Sequence, residues 1–304
     1  MSIPLQSRLP RTYRIKHVKQ ETEMVRTFTF DGSLGAKPGQ FAMVWLPGAD
    51  EVPMSVACDD GATTRITFFA AGGMTNELAK LRVGDLAGLR GPFGTHYEWE
   101  RGQHIVLVAG GYGAAPMYFV AKETAMHDCT LDVIVGARSN DHLLYVEELE
   151  SLPHVSLHLA TDDGSAGHKG FGTDILEKLL SSCHRPAAAR PIDATSAPRI
   201  STRSDNGKCS PIDQIFGCGP EMMLKRISEM CAKYEVTAQL SMERYMKCGY
   251  GLCGNCVMDP LGIRICKEGP VVSNEVLLQL TEFGKYYRDD LGKKHSFDAI
   301  RKQR

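Results

Sequence analysis

Four cysteines fall between residues 248 and 266, in the order Cys248-x4-Cys253-x2-Cys256-x9-Cys266. No other feature restricts the local fold so sharply. Thiolates are soft ligands that suit zinc or iron–sulfur centres. Zinc sites usually join two CxxC knuckles, and here there is one. The x4-then-x2 order fits a loop that wraps a [2Fe–2S] cluster. Gly249, Gly251 and Gly254 let that loop curl and turn its N–H groups toward sulfur. The fourth thiolate, Cys266, returns on a short hairpin whose turn is Asp259-Pro260-Leu261-Gly262. A zinc knuckle and unliganded thiols are the competing readings.

The other six cysteines, Cys58, Cys129, Cys183, Cys209, Cys218 and Cys231, are scattered and do not form a disulfide framework. Arg8 and Arg11 are followed by no apolar block, so residues 1–13 do not read as a signal peptide. A reducing cytoplasm is the expected location. No run of 18 apolar residues occurs, which excludes a membrane-spanning helix. A net charge of −1 excludes an electrostatic nucleic-acid binder. The 304 residues suffice for two domains and a small appendage.

The texture changes twice along the chain. Residues 1–100 carry short strand-like runs, at 13–18, 25–30, 40–46 and 64–69, between Gly, Pro and Asp. That spacing predicts a small antiparallel barrel. One helical stretch, 75–81, interrupts it, and Gly91-Pro92-Phe93-Gly94 reads as a closing turn. Residues 101–235 alternate continuous apolar runs, at 104–109, 131–136, 155–160 and 212–217, with helical segments. Those segments are a helix up to about 127, then 142–151, 173–183 and 220–233. Such alternation predicts a doubly wound parallel sheet. Residues 185–211, rich in Ala, Pro, Ser, Thr and Arg, read as a surface insertion. Residues 236–304 hold the cysteine module and a tail with helical spacing at Val276, Leu277 and Leu280.

Two glycine-rich turns end apolar runs of the second region. Ala109-Gly110-Gly111-Tyr112-Gly113-Ala114-Ala115-Pro116 opens one helix, and Phe216-Gly217-Cys218-Gly219-Pro220 opens another. Both should lie at the carboxyl edge of the sheet, where α/β folds bind ligands. Gly110, Gly111 and Gly113 could admit a pyrophosphate to a helix N-terminus. A plain structural turn explains the same glycines. Cys218 would sit beside a nicotinamide, or else be a small packing residue.

Taken in order, Pro53-Met54-Ser55, Gly91-Pro92-Phe93-Gly94, Gly110-Gly111-x-Gly113-x-Ala115-Pro116, Cys218-Gly219-Pro220 and the cysteine cluster resemble the ferredoxin–NADP reductase superfamily. More closely, the chain is similar to the electron-transfer subunits of class 1B dihydroorotate dehydrogenases. The resemblance spans about residues 10–290 and implies FAD on the barrel, NAD on the parallel-sheet domain and a [2Fe–2S] cluster on the four cysteines. NADP remains an alternative to NAD. It assigns Ser55 to the flavin N5 edge and Pro53 and Met54 to the isoalloxazine and ribityl chain. Thr67, Phe68 and Phe69 form the second flavin segment, and Gly73, Met74 and Thr75 meet the pyrophosphate. Gly110, Gly111, Gly113, Cys218, Gly219 and Pro220 fall to the nicotinamide, with Ser55 and Cys218 flanking one pocket. Arg138 is a candidate for the adenosine phosphate, and the loop 162–165 is either a further contact or a turn with a helix cap. The family arginine before Pro53 is replaced by Val52; Arg65 and Arg90 are the candidates to substitute for it.

The resemblance also implies a partner, an FMN-containing catalytic subunit that oxidises dihydroorotate, in a complex with two copies of each chain. Electrons would then run from FMN through the cluster and FAD to NAD+. A subunit of a ferredoxin–NADP oxidoreductase or of a cytoplasmic hydrogenase is an alternative of the same superfamily. A zinc-stabilised binding module is the alternative outside enzymes.

Overall fold

The computed structural model describes residues 9–183 and 210–297. All but the last two residues of the expected insertion at 185–211 lie outside them. Two compact units emerge. One takes the chain up to His96, Met242–Val272 and everything from Leu280 on; the other takes Tyr97–Ser241 and Ser273–Gln279.

The first unit is built on a closed barrel. Its strands are β1 (Arg11–Gln20), β2 (Val25–Asp31), β3 (Phe41–Leu46), β4 (Asp50–Asp59), β5 (Thr63–Phe69) and β6 (Leu86–Phe93), in the order β1-β2-β5-β4-β3-β6. Short runs with alternating burial close on themselves here because a barrel leaves no edge unpaired. Phe28, Phe30, Ile66 and Leu89 fill the interior. Phe28 meets the Phe68 ring edge-on at 5.0 Å, and burying such a ring contributes about 2 kcal/mol. Helix α1 (Gly73–Leu78) packs beside β4. The Gly91–Gly94 segment is the end of β6 rather than a separate turn. Pairing with β3 slips between Phe41 and Met43, and Gly91 adopts φ +148 at that bulge, against the Phe41 carbonyl.

The second unit holds a parallel sheet. Strands β7 (His104–Gly110), β8 (Thr130–Ala137), β9 (Val155–Thr161), β10 (His168–Lys169), β11 (Gln214–Cys218) and β12 (Thr237–Ser241) run in the order β10-β9-β8-β7-β11-β12. All of β7 is buried, as its unbroken apolar run requires. Helices α2 (Ala114–Ala125), α3 (Val146–Glu150), α4 (Gly172–Cys183) and α5 (Glu221–Tyr234) alternate with the strands. The expected helix at 142–151 is only the five residues of α3, because Tyr145 before it takes φ +61. Strand β12 is too short and too polar to stand out in the sequence. Cys58, Cys129, Cys218, Cys231 and the four cysteines at 248–266 form no disulfide. Among the described residues no helix is long and apolar enough to cross a membrane.

The strand order reverses between β7 and β11, and both glycine-rich turns leave the sheet there. They are packed on each other. A Cβ on Gly113 would lie 2.3 Å from the Cys218 carbonyl oxygen, and one on Gly219, at φ +147, 2.9 Å from the Gly110 backbone. Gly111 is different: at φ +56 its Cβ position meets nothing within 4 Å. We expect Gly113→Ala to destabilise this unit by about 1–3 kcal/mol, since backbone must move. Gly111→Ala should cost only the left-handed penalty, about 1 kcal/mol. Urea unfolding of the two variants orders them; equal losses would refute the close packing.

At the opposite edge of the same sheet, the buried His104 and the half-buried Asp132 and His158 form a network. His104 Nε2 donates to Asp132 Oδ2 at 2.7 Å, and His158 Nε2 meets Asp132 Oδ1 at 2.7 Å. His104 Nδ1 faces the Ser210 and Pro211 carbonyls at 3.1 and 3.2 Å. With acceptors at both ring nitrogens, the surroundings of His104 favour its protonated form. Burial opposes the charge on His104, yet the Asp132 carboxylate and the two carbonyls outweigh it and raise the pKa. Burial likewise opposes ionisation of Asp132, and the two histidines overcome it, holding its pKa far below the usual range. The His104 contribution is complete below its unfolded value of 6.5 and fades as pH rises through the raised folded value. The Asp132 contribution is complete above 3.8 and fades as pH falls. Asp132→Asn should therefore destabilise by about 3 kcal/mol at pH 5.5 and by less at pH 8.5. Denaturant midpoints at the two pH values check this.

Candidate functional site

Within the first unit the four cysteines lie as two pairs, Cys248 beside Cys253 and Cys256 beside Cys266, and among the described residues no three His, Cys, Asp or Glu side chains are grouped closely enough to hold a metal ion as they stand. After Cys248 the loop runs through Gly249, Gly251 and Gly254 with φ of +76, +84 and +74, so each glycine bends the chain left-handedly. The bends aim backbone N–H groups at sulfur. Cys248 Sγ accepts from Leu252 (3.2 Å) and Cys253 (3.5 Å), and Cys266 Sγ accepts from Gly251 at 3.1 Å. Cys256 Sγ accepts from the Cys266 N–H at 3.4 Å. The hairpin β13 (Val257–Met258) and β14 (Ile263–Arg264) returns the chain to Cys266, on the short helix α6 (Ile265–Glu268). Cys256 and Cys266 are buried, Cys248 is half-buried and Cys253 is exposed.

The same N–H groups favour thiolate. Burial pushes Cys248 up, but the N–H bonds from Cys253, Tyr250 and Leu252 prevail and bring it down to about 7. Cys256 falls to about 6, chiefly through a hydrogen bond from the Cys266 thiol and despite burial. Cys266, as the donor, is raised. Ligation needs thiolates, so a loop that already stabilises negative sulfur fits an iron–sulfur centre. It also supplies the N–H···S bonds that such centres use.

The loop is seated on the barrel. A Cβ on Gly249 would fall 2.8 Å from Met43 Cγ. Arg90, 6% exposed on β6, donates from Nη1 to the Cys248 carbonyl at 2.8 Å and grips the Glu51 carboxylate with Nε and Nη2. That commitment removes Arg90 as a substitute for the arginine missing at Val52. Sequence reasoning did not foresee this link; an arginine in an otherwise apolar strand was its only signal.

The expected flavin residues divide by burial. On β4, Val52, Pro53 and Ser55 are half-buried and Met54 is buried. Thr67 Oγ1 bonds Thr27 Oγ1 at 2.8 Å inside the barrel, and Phe68 is a core ring. Phe69 is 41% exposed, so of the two rings it is the one open to a ligand. Thr75 Oγ1 accepts the N–H groups of Gly72 (2.9 Å) and Ala71 (3.2 Å), closing the turn into α1. Gly73 has open space where a Cβ would stand, while Met74 is buried. This is an accessible strand face beside a glycine turn, a surface that a flat ring with a phosphate tail can occupy.

In the second unit, Gly110, Gly113, Cys218, Gly219 and Pro220 are brought together at the strand-order reversal. Cys218 is 3% exposed. Tyr97 lies beneath it, its hydroxyl donating to the Gly217 carbonyl at 2.8 Å and its ring 4.9 Å from Phe216. Burial, and then the nearby Cys218, raise the Tyr97 pKa well above the usual range. Arg138 is exposed after β8. Asp163 closes its own turn onto Ser165, and Asp174 accepts the Phe171 N–H at 2.9 Å as a cap on α4. That loop therefore shows the turn and the cap expected of it.

Residues 243–278 match the family model of the iron–sulfur cluster binding domain of dihydroorotate dehydrogenase B. Residues 107–229 match that of the oxidoreductase NAD-binding domain. A protein of Methanocaldococcus jannaschii, described as a probable dihydroorotate dehydrogenase B (NAD(+)) electron transfer subunit, is 38% identical over 92% of this chain and 96% of its own. The protein so described in Methanothermobacter thermautotrophicus is 37% identical over 94% and 97%. Among solved structures, an NADH-dependent reduced ferredoxin–NADP oxidoreductase superposes with a TM-score of 0.70 at 26% identity, over 88% of this chain and 89% of that one. The chain belongs to the family of electron transfer subunits of NAD(+)-linked dihydroorotate dehydrogenase B.

Proposed function

We propose that this chain carries electrons between a subunit that oxidises dihydroorotate and NAD+, holding one [2Fe–2S] cluster and one FAD. The observation that carries the reading is the set of four thiols, three of them with N–H groups aimed at sulfur, in the same compact unit as the barrel. When bound, the flavin supplies exchange of electron pairs with a nicotinamide and of single electrons with a cluster.

The protein's own residues bind and orient. Cys248, Cys253, Cys256 and Cys266 hold the iron. Pro53, Ser55 and the exposed Phe69 offer a surface to the flavin ring, with the Ser55 hydroxyl serving its N5 edge. The Met74 and Thr75 N–H groups are left for the pyrophosphate, since Thr75 Oγ1 already engages those of Ala71 and Gly72. In the second unit, Gly111 keeps open space for a nicotinamide dinucleotide, and Cys218 closes the floor of that site. The partner is the FMN-containing catalytic subunit, met at the cluster loop, where Cys253 and its neighbour Leu252 (76% exposed) reach the surface. Two copies of each chain form the complex, in the cytoplasm.

Cys253→Ser should lose the visible absorbance and iron of the cluster while keeping stoichiometric FAD, because this ligand is exposed and packs against no core. Loss of flavin together with iron would mean that the cluster also holds the barrel. For the activity, the anaerobically purified complex is given dihydroorotate and NAD+ and followed at the NADH absorbance. NADH formation that requires this chain is expected. Its absence from a complex loaded with flavin and cluster would move the assignment to another electron donor, such as the ferredoxin of the structurally similar oxidoreductase.

A further inference from the structure

Burying a guanidinium is costly unless it is paired and its donors are used. An apolar side chain on the outer face of β6 would cover the cluster loop without that cost. Arg90 nevertheless occupies the position, and its donors are divided between two acceptors. Nε and Nη2 hold the Glu51 carboxylate, and Nη1 holds the carbonyl of Cys248, the first cluster ligand. Its guanidinium carbon also lies 5.4 Å from the centre of the Phe93 ring and 5.5 Å from that of Tyr250, both in contact range for a cation over an aromatic face. The Arg90 side chain is 7% exposed and that of Glu51 20%. Both border a cleft of about 480 Å³, together with Trp45, Asp50, Cys248 and Tyr250.

The geometry points to Arg90 as a positioning residue that fixes Cys248 and sets the reduction potential of the cluster, with Glu51 as its counter-charge. The inference rests on the proposed [2Fe–2S] reading of the four cysteines. Reduction adds one electron to a centre already surrounded by four thiolates. No bond forms or breaks, and neither Arg90 nor Glu51 gives up a proton. A positive charge held close in a poorly solvated site favours the extra electron and raises the potential. The hydrogen bond to the Cys248 carbonyl acts in the same sense, by drawing electron density along the peptide of a ligand residue. Glu51 offsets part of that field. Water in the cleft reaches Glu51 more readily than Arg90, so the cancellation is incomplete and the cation dominates at the cluster.

The test is a redox titration of the purified, FAD-loaded protein, with the reduced cluster followed by electron paramagnetic resonance. Glu51→Gln keeps the cation and removes its counter-charge, and should move the midpoint upward. A tenfold change in the ratio of reduced to oxidised cluster corresponds to about 59 mV for one electron. Arg90→Gln should move it downward, and Arg90→Lys, which keeps the charge and loses the fork, should lie nearer the parent. Glu51→Gln at the parent potential, with full iron content, overturns the inference while leaving the cluster reading intact. Parent protein without iron and sulfide overturns both. If Arg90→Gln fails to retain the cluster, the Glu51→Gln shift alone decides.

Discussion

The cluster segment depends on the barrel for a floor. Residues 242–272 are far too few to bury a core of their own, and the middle of the loop, Leu252 to Gly254, faces solvent. What fixes it is the end of β6 and the residues just after. Met43 and Phe93 lie under Gly249 so closely that no larger residue fits. Thr95 takes the return strand twice, its N–H on the Gly269 carbonyl at 2.6 Å and its hydroxyl on the Val271 carbonyl at 2.7 Å. Arg90 adds the charged contact at Cys248. A metal loop becomes a defined site only when its ligands are held from outside, and here that support is backbone and barrel wall rather than a second layer of loop.

This arrangement gives Gly91-Pro92-Phe93-Gly94 a role in seating the cysteine loop. The bulge at Gly91 turns the end of β6 away from its regular register with β3. Phe93 is thereby placed against Phe41, at 5.8 Å between ring centres, and under the cluster loop. Gly94 then admits the Gly269-Pro270 backbone, which a Cβ would meet at 2.5 Å. A motif that reads as a chain-reversing turn is a seat for a distant segment.

Much of the architecture was legible because the two units obey different periodicities. Val25–Asp31 in the barrel mixes buried and half-buried positions while His104–Gly110 in the parallel sheet is buried throughout, and the two show the contrast. The cysteine-rich segment, which matches the iron–sulfur binding domain, was legible because the spacing of its four cysteines suits a cluster-binding loop. Other features could not be read in advance. Nothing local distinguishes Phe68 from Phe69; the register of β5 against β2, which sets Thr67 opposite Thr27, decides which ring enters the core. Strand β12 was invisible because a five-residue run with Thr237, Gln239 and Ser241 has no apolar stretch. Arg90, a candidate to substitute for the arginine missing at Val52, could not be assigned from sequence because its two acceptors, Glu51 and the Cys248 carbonyl, are set by barrel closure and by a segment more than 150 residues away.

The glycines at the strand-order reversal carry the last lesson about such motifs. A glycine-rich turn after a buried strand says that something approaches the backbone closely; it does not say what. At Gly113 the approaching group is the Cys218 carbonyl, and at Gly110 it is Gly219 with Pro220 and Met223. Those glycines would be needed even if the chain bound nothing, because the two turns could not otherwise leave adjacent parallel strands side by side. Gly111 stands apart, with positive φ and empty space in front of it, so its freedom is not consumed by packing. The division separates what the fold demands from what remains for a ligand. Three glycines build the crevice, and the fourth is the place where its backbone is still open.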